Sequence, residues 1–169
     1  MKIGILGSDE RALAIGRLLR SGGHQITFGD PVKERANRAA LTLGARTQRP
    51  YDQAMCSDLL LITVPRQEID RAVTAVGAGA DAVIVDAVEA ERGNGKHSGA
   101  EILARKLNSS NVVRALINMP QSGANVQICG DDPNAKVLVE SALRACGCVT
   151  TDRGPLSNAI ELEAPATAA

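Results

Sequence analysis

The opening stretch Met1-Lys-Ile-Gly-Ile-Leu-Gly7-Ser-Asp9-Glu-Arg-Ala12 constrains this chain more than any other. Lys2 to Leu6 reads as a short buried strand, and Gly7 makes a turn. Apolar residues then continue at helical spacing through Ala12, Ile15 and Leu19. A strand, a glycine turn and a helix in that order form the first step of a βαβ unit. In such a unit the helix N-terminus and free backbone N–H groups face an anion. The fingerprint for a dinucleotide pyrophosphate is G-x-G-x-x-G/A, and the chain carries Gly7-x-Asp9-x-x-Ala12. The turn glycine and the small packing residue are present. An aspartate stands where the backbone would approach the phosphates.

Further strand and helix patterns alternate along the chain. Strands are expected at 24–28, 45–48, 58–64, 81–85, 111–116, 126–129 and 148–151, with helices at 32–43, 67–76, 98–107 and 133–146. A short helical piece is expected at 51–56, and a loop with glycines and mixed charge at 89–99. This alternation predicts an α/β fold, a doubly wound and mostly parallel sheet of the Rossmann-like type. The expected organisation is one domain over 1–163 with a frayed tail at 164–169.

With 169 residues, 44% of them hydrophobic, the chain has enough material for one well-buried domain. Its formal net charge is zero, which argues against a nucleic-acid or anionic-membrane binder. Tyr51 and Phe28 are the only aromatics, so bases have no stacking platform. No apolar run reaches the ~18 residues of a membrane span, and no signal-peptide pattern precedes the first strand. Cys56, Cys129, Cys146 and Cys148 show no zinc-type pairing, and His24 and His97 are the only histidines. Reduced thiols, no metal and a cytoplasmic location are therefore expected.

Asp30 lies 23 positions after Gly7, near the distance at which an acidic residue meets an adenosine ribose. Asp30-Pro31 can equally start a turn and cap the next helix. His97 has an unperturbed pKa near neutrality and is one candidate for chemistry. The alternative is a solvated loop side chain.

Beyond the first turn, Ile62-Thr-Val-Pro65, Ser98-Gly-Ala-Glu101, Cys129-Gly-Asp-Asp132 and Gly154-Pro-Leu-Ser157-Asn158 resemble one family. It is that of the coenzyme F420-dependent NADP reductases, whose relatives include the reductase domain of membrane ferric reductases. The resemblance runs over nearly the whole chain. It implies hydride transfer between NADP(H) or NAD(H) and a redox partner such as coenzyme F420 or a flavin. The two carriers hold that chemistry themselves, so no acid–base pair is required.

By position, the resemblance gives Gly7, Ser8, Asp9, Glu10 and Ala12 to the phosphates, and Asp30 and Lys33 to the adenosine end. Val64, Pro65, Asp86 and Ala87 would wall the nicotinamide. Ile117, Asn118, Met119, Pro120 and Ser157 would face the second ring. Asp86 and His97 are the candidates for a catalytic group. For Val64, Pro65 and Met119, ordinary strand-end packing is the alternative.

The sequence departs from the family at four places. Asp9 puts a carboxylate where the pyrophosphate should come, or caps the helix and occupies the donors that a phosphate would use. Asp30-Pro31 replaces a hydroxyl–arginine pair that grips a 2′-phosphate, which points toward NAD, although Lys33 and Arg35 follow. Ile117-Asn118 replaces a His and Thr on the substrate side. A helical segment that the family carries beyond Asn158 has no counterpart before Ala169. Leu156, Ile160 and Leu162 are therefore expected either to form a homodimer contact that completes the site or to be buried on their own sheet. The alternative function is a repurposed Rossmann domain with weakened dinucleotide binding, a non-redox enzyme or binding module. Its polar groups at the same cleft would be Asp9, Asp86, Lys96 and His97.

Overall fold

A computed structural model describes residues 1–48, 57–77, 81–89, 97–115 and 121–163, with backbone alone at 46–48. Strands β1 (Lys2–Leu6), β2 (Gln25–Gly29), β3 (Arg46–Gln48) and β4 (Leu59–Ile62) come first. They are followed by β5 (Val83–Asp86), β6 (Val112–Arg114), β7 (Asn125–Gly130) and β8 (Val149–Asp152). The order across the sheet is β3-β2-β1-β4-β5-β6-β7-β8. All neighbours pair in parallel except β6 and β7. The strand order reverses beside β1, which has β2 on one side and β4 on the other.

Alternation along the strands sorts side chains onto two faces, because successive residues of a strand point in opposite directions. Ile3, Ile5, Leu59, Leu61, Val85 and Val113 belong to one apolar cluster. Leu60, Ile62, Ile84 and Val112 belong to the other. Helices α1 (Glu10–Ser21), α2 (Lys33–Leu43) and α5 (Pro133–Ala145) cover the first face through Ala12, Ile15, Ala39, Ala40, Val139 and Ala142. Helices α3 (Ile69–Val76), α4 (Gly99–Leu107) and the short α6 (Ala159–Glu163) cover the second through Ala72, Val76, Ala100, Leu103 and Ala159. Each fully buried Leu or Ile contributes roughly 1.5–3 kcal/mol. With almost no aromatic bulk, the layers close on small residues. A Cβ on Gly16 would stand 2.9 Å from both Phe28 and Leu43, so α1 approaches β2 and α2 as closely as it does because that position is glycine.

The expected elements recur with shifted ends. The helix expected from Gln67 begins as a 3-10 turn, Arg66–Glu68, before α3. The last two strands start one residue apart from the expected positions, at Asn125 and Val149. The pieces expected at 51–56, the middle of the 89–99 loop and the tail at 164–169 lie outside the described residues. Of the two expectations for the C-terminal apolar residues, burial on the chain's own sheet holds for Leu156. It is 3% exposed and packs in the second cluster, with Leu162 partly buried against it, so Leu156 offers no surface to a second subunit.

Two sequence motifs prove to hold each other. Asp132 caps α5 by accepting from the Ala135 N–H at 2.8 Å. Asp131 accepts from the Leu156 N–H at 2.8 Å, and the Gly130 N–H donates to the Gly154 carbonyl at 3.1 Å. Cys129-Gly-Asp-Asp132 and Gly154-Pro-Leu-Ser-Asn158 therefore form one clasp between β7 and the approach to α6.

Candidate functional site

The carboxyl ends of β1, β4, β5 and β6 lie side by side at the reversal of strand order, where an open α/β sheet leaves a crevice. Gly7 leaves β1 with φ +122°, a region closed to L side chains, and donates its N–H to the Gly29 carbonyl at 2.9 Å. A Cβ there would stand 2.4 Å from Thr63 Oγ1, whose hydroxyl donates to the Leu6 carbonyl at 2.8 Å. Gly7 thus brings β1 and β4 together at the crevice floor and aims the chain into α1.

Asp9 is the N-cap of α1. Its carboxylate accepts from the Ala12 N–H at 2.8 Å, and its carbonyl accepts from the Leu13 N–H at 3.0 Å. The capping expectation for Asp9 therefore holds, and one of the first-turn donors is already taken by an internal anion. Asp9 and Glu10 are exposed, Ser8 is half-buried and Ala12 is fully buried.

Asp30 closes β2 beside this turn. The Ser8 hydroxyl donates to its Oδ2 at 2.5 Å, the Val32 N–H donates to its Oδ1 at 2.7 Å, and Arg35 Nε lies 3.4 Å from Oδ1. Asp30 does start the turn, but it does not cap α2. Val32 is the N-cap and no side chain caps it. Lys33 is exposed on the first turn of α2.

The other wall carries a series of buried charges. Asp86 ends β5 in register with Arg114 on β6, and its Oδ2 lies 2.9 Å from Arg114 Nη1. Asp86 Oδ1 accepts from the Val88 N–H at 3.1 Å. Arg114 is 1% exposed, and its Nε lies 3.5 Å from Oε1 of Glu163 on α6. A buried carboxylate–guanidinium–carboxylate series therefore joins the strand ends to α6. Arg11, on the first turn of α1, lies within the same field. Burial pushes its pKa below the usual guanidinium value and the Arg114 charge adds to that, while Glu89, Asp9 and Asp86 act the other way. Asp86 is thus a paired, buried carboxylate, not a free acid or base.

Val64 and Ala87 are buried at the strand ends and Pro65 is exposed. His97 precedes α4, and its Nδ1 meets Glu101 at 3.6 Å and Arg105 at 3.2 Å. Ser157 lies exposed in a 3-10 turn, Leu156–Asn158. Ile117, Asn118, Met119, Pro120 and Lys96 lie outside the described residues. Among those described, no three His, Cys, Asp or Glu side chains gather as a metal site.

Sequence reasoning missed Arg11, Arg114 and Glu163. The available signal was Arg114 itself, a cation inside the apolar run Val112-Val-Arg-Ala-Leu116, which a buried strand tolerates only with a partner.

A glycine turn feeding a helix at the strand-order reversal of a mostly parallel, doubly wound sheet defines a Rossmann-like domain, the fold of NAD(P)-dependent oxidoreductases. Comparison with solved structures agrees. A candidate F420-dependent NADP reductase of Arthrobacter sp. matches with a TM-score of 0.81 and 20% identity, over 96% of this chain and 89% of its own. A hypothetical protein, SMa0349, of Sinorhizobium meliloti matches with a TM-score of 0.81 and 18% identity, over 94% and 88%.

The family follows from the sequence match. The model described as NADP oxidoreductase, coenzyme F420-dependent, covers residues 2–90, and the chain belongs to that family. It is also similar to "Metalloreductase STEAP3" of Rattus norvegicus, 30% identical over 176 residues. That match takes in 96% of this chain and 36% of the relative, so the chain spans about a third of that protein's length.

Proposed function

We propose that this protein binds a nicotinamide dinucleotide at the crevice above β1, β4 and β5 and passes a hydride to or from a redox partner. The observation that carries this reading is the Gly7 turn. It turns the chain from β1 into α1 beside Thr63 at the strand-order reversal, the place where this fold receives an anion, with one first-turn donor already engaged by Asp9. In this reading Gly7, Ser8, Glu10 and Ala12 border the pyrophosphate, and Arg11 supplies the positive charge that offsets Asp9. Asp30, with Ser8 already oriented by it, suits a ribose diol better than a 2′-phosphate. Lys33 and Arg35 stand close enough in sequence to serve NADP(H) instead. Val64, Pro65, Asp86 and Ala87 wall the nicotinamide end.

The bound dinucleotide supplies the hydride, so the chain's own work is to bind, orient and exclude water. Asp86 serves by position: held by Arg114 and the Val88 N–H, it fixes the backbone that turns out of β5. Coenzyme F420 is the first candidate for the partner, with a flavin second. It would enter on the side of Ile117–Pro120 and Ser157, where a second copy of the chain could add a wall. A cytoplasmic setting accords with buried free thiols at Cys129, Cys146 and Cys148. Among the described residues no helix is long and apolar enough to cross a membrane.

A specific observation favours a second reading. The Asp9 carboxylate occupies the Ala12 N–H, so the domain can have exchanged dinucleotide binding for another ligand of the same crevice. Titration of the purified protein with NADPH, NADH, NADP and NAD, followed by calorimetry or cofactor fluorescence, separates the two. Saturable binding of a reduced cofactor is expected; no binding at high cofactor concentration would transfer the argument to the second reading.

A further inference from the structure

We propose that Glu163 occupies a carboxylate subsite that small carboxylic acids enter when α6 moves aside. The Gly99 N–H, at the start of α4, donates to both oxygens of Glu163, at 3.1 and 2.9 Å. A Cβ on Gly99 would stand 3.4 Å from Oε1, an ordinary contact, so it is the backbone N–H at the start of α4 that holds the carboxylate there. Behind the carboxylate lies Arg114, its side chain 2% exposed. Its Nε–H makes no hydrogen bond and is 3.5 Å from Oε1, a buried donor aimed at an anion it reaches imperfectly. A backbone donor and a buried guanidinium converging on one carboxylate are what recognition of a carboxylic acid requires.

The subsite opens into a cavity of about 220 Å³ between α3 and α4, bordered by Arg66, Asp70, Asp86, Lys106, Arg114 and Glu163. Pockets for drug-sized ligands run to roughly 300–1,000 Å³. This one is smaller than those but larger than a cavity that admits benzene, so it suits a small organic acid. Its rim pairs Lys106 with Asp70 and also carries Arg66, while Arg114 is the cation at its buried end.

The occupant sits on a short segment. Helix α6 has five residues, too few to hold itself, and rests on Ala159, Leu162 and Glu163. Its Arg153–Glu161 pair, at 3.4 Å, is exposed and weak. Such segments open locally far below the cost of global unfolding. An incoming carboxylate offers Gly99 and Arg114 the same partner and returns Glu163 to water, so the exchange leaves no buried charge unpaired.

The test uses propionate as probe and does not depend on dinucleotide binding. In the wild-type protein, propionate at constant ionic strength should raise amide exchange across 159–163 several-fold and saturably, with the Gly99 N–H still protected. In Glu163→Gln, which keeps the size and loses the charge, the effect should saturate at lower propionate. Glu163→Ala should show a saturable rise in Tm with propionate and none with chloride. If Glu163→Ala does not fold, the first two measurements decide. Unchanged exchange in the wild type, even with rescue of the alanine variant, would make Glu163 a permanent structural anion and overturn the proposal. An equal response to phosphate would overturn the carboxylate assignment.

Discussion

Replacing Asp9 by glycine or asparagine separates two effects of one carboxylate. Two like charges ~4 Å apart cost about 4 kcal/mol at an effective dielectric of ~20. Asp9 is exposed and can rotate, and 0.15 M salt screens charges over ~8 Å, so only part of that survives. Taking about 1.4 kcal/mol as the surviving part, removing the charge tightens NADPH or NADH binding about tenfold. Asp9→Gly also frees the Ala12 N–H, now bonded at 2.8 Å, and costs the helix only a few tenths of a kcal/mol as a cap. Asp9→Asn keeps an acceptor on that N–H and removes the charge alone.

Dissociation constants from cofactor fluorescence should fall at least ~10-fold in both variants, and the gain should shrink in 1 M salt, where screening sets in at ~3 Å. A gain confined to glycine would assign the obstacle to the occupied N–H. Unchanged constants in both variants would refute the electrostatic reasoning.

Arg114→Met leaves Asp86 and Glu163 buried without their cation and should cost about 3–5 kcal/mol in urea unfolding; a loss under ~1 kcal/mol would contradict the buried series described above. Asp30→Ser removes the carboxylate proposed to meet the adenosine ribose and releases Arg35, so the NADPH-to-NADH affinity ratio should rise about tenfold. An unaltered ratio would remove Asp30 from cofactor choice. The Cys129 thiol, raised from 9.0 to about 11 mainly by burial, disfavours the thiolate in the folded state. Its contribution to stability is complete below pH 9 and lost as pH rises toward about 11, because the unfolded thiol ionises first. Burial raises the Cys146 and Cys148 thiols as well, so urea midpoints followed across that window should show a drop that is smaller in Cys129→Ala, and identical profiles would exclude this cause.

Local physics made much of the fold readable. Strand alternation, the glycine turn at Gly7 and capping residues such as Asp9, Ser98 and Asp132 act within a few positions of themselves, so the sequence carries them openly. Ser98 and Glu101 even complete a reciprocal capping box, in which the bond from the Ser98 N–H holds the Glu101 carboxyl below its usual pKa.

The sequence by itself therefore determined the alternating elements, the two-faced sheet and the phosphate-type turn with its intruding aspartate. Only the tertiary structure decided that β7 runs against β6, that the Gly130–Asp132 and Gly154–Asn158 motifs clasp each other, and that Asp86, Arg114 and Glu163 share one buried site. Asp86 and Glu163 stand far apart in the chain, and nothing in either's neighbours indicates the other. Buried charges must find partners wherever the sheet brings them, and that pairing is fixed by strand order and packing, which no local pattern encodes.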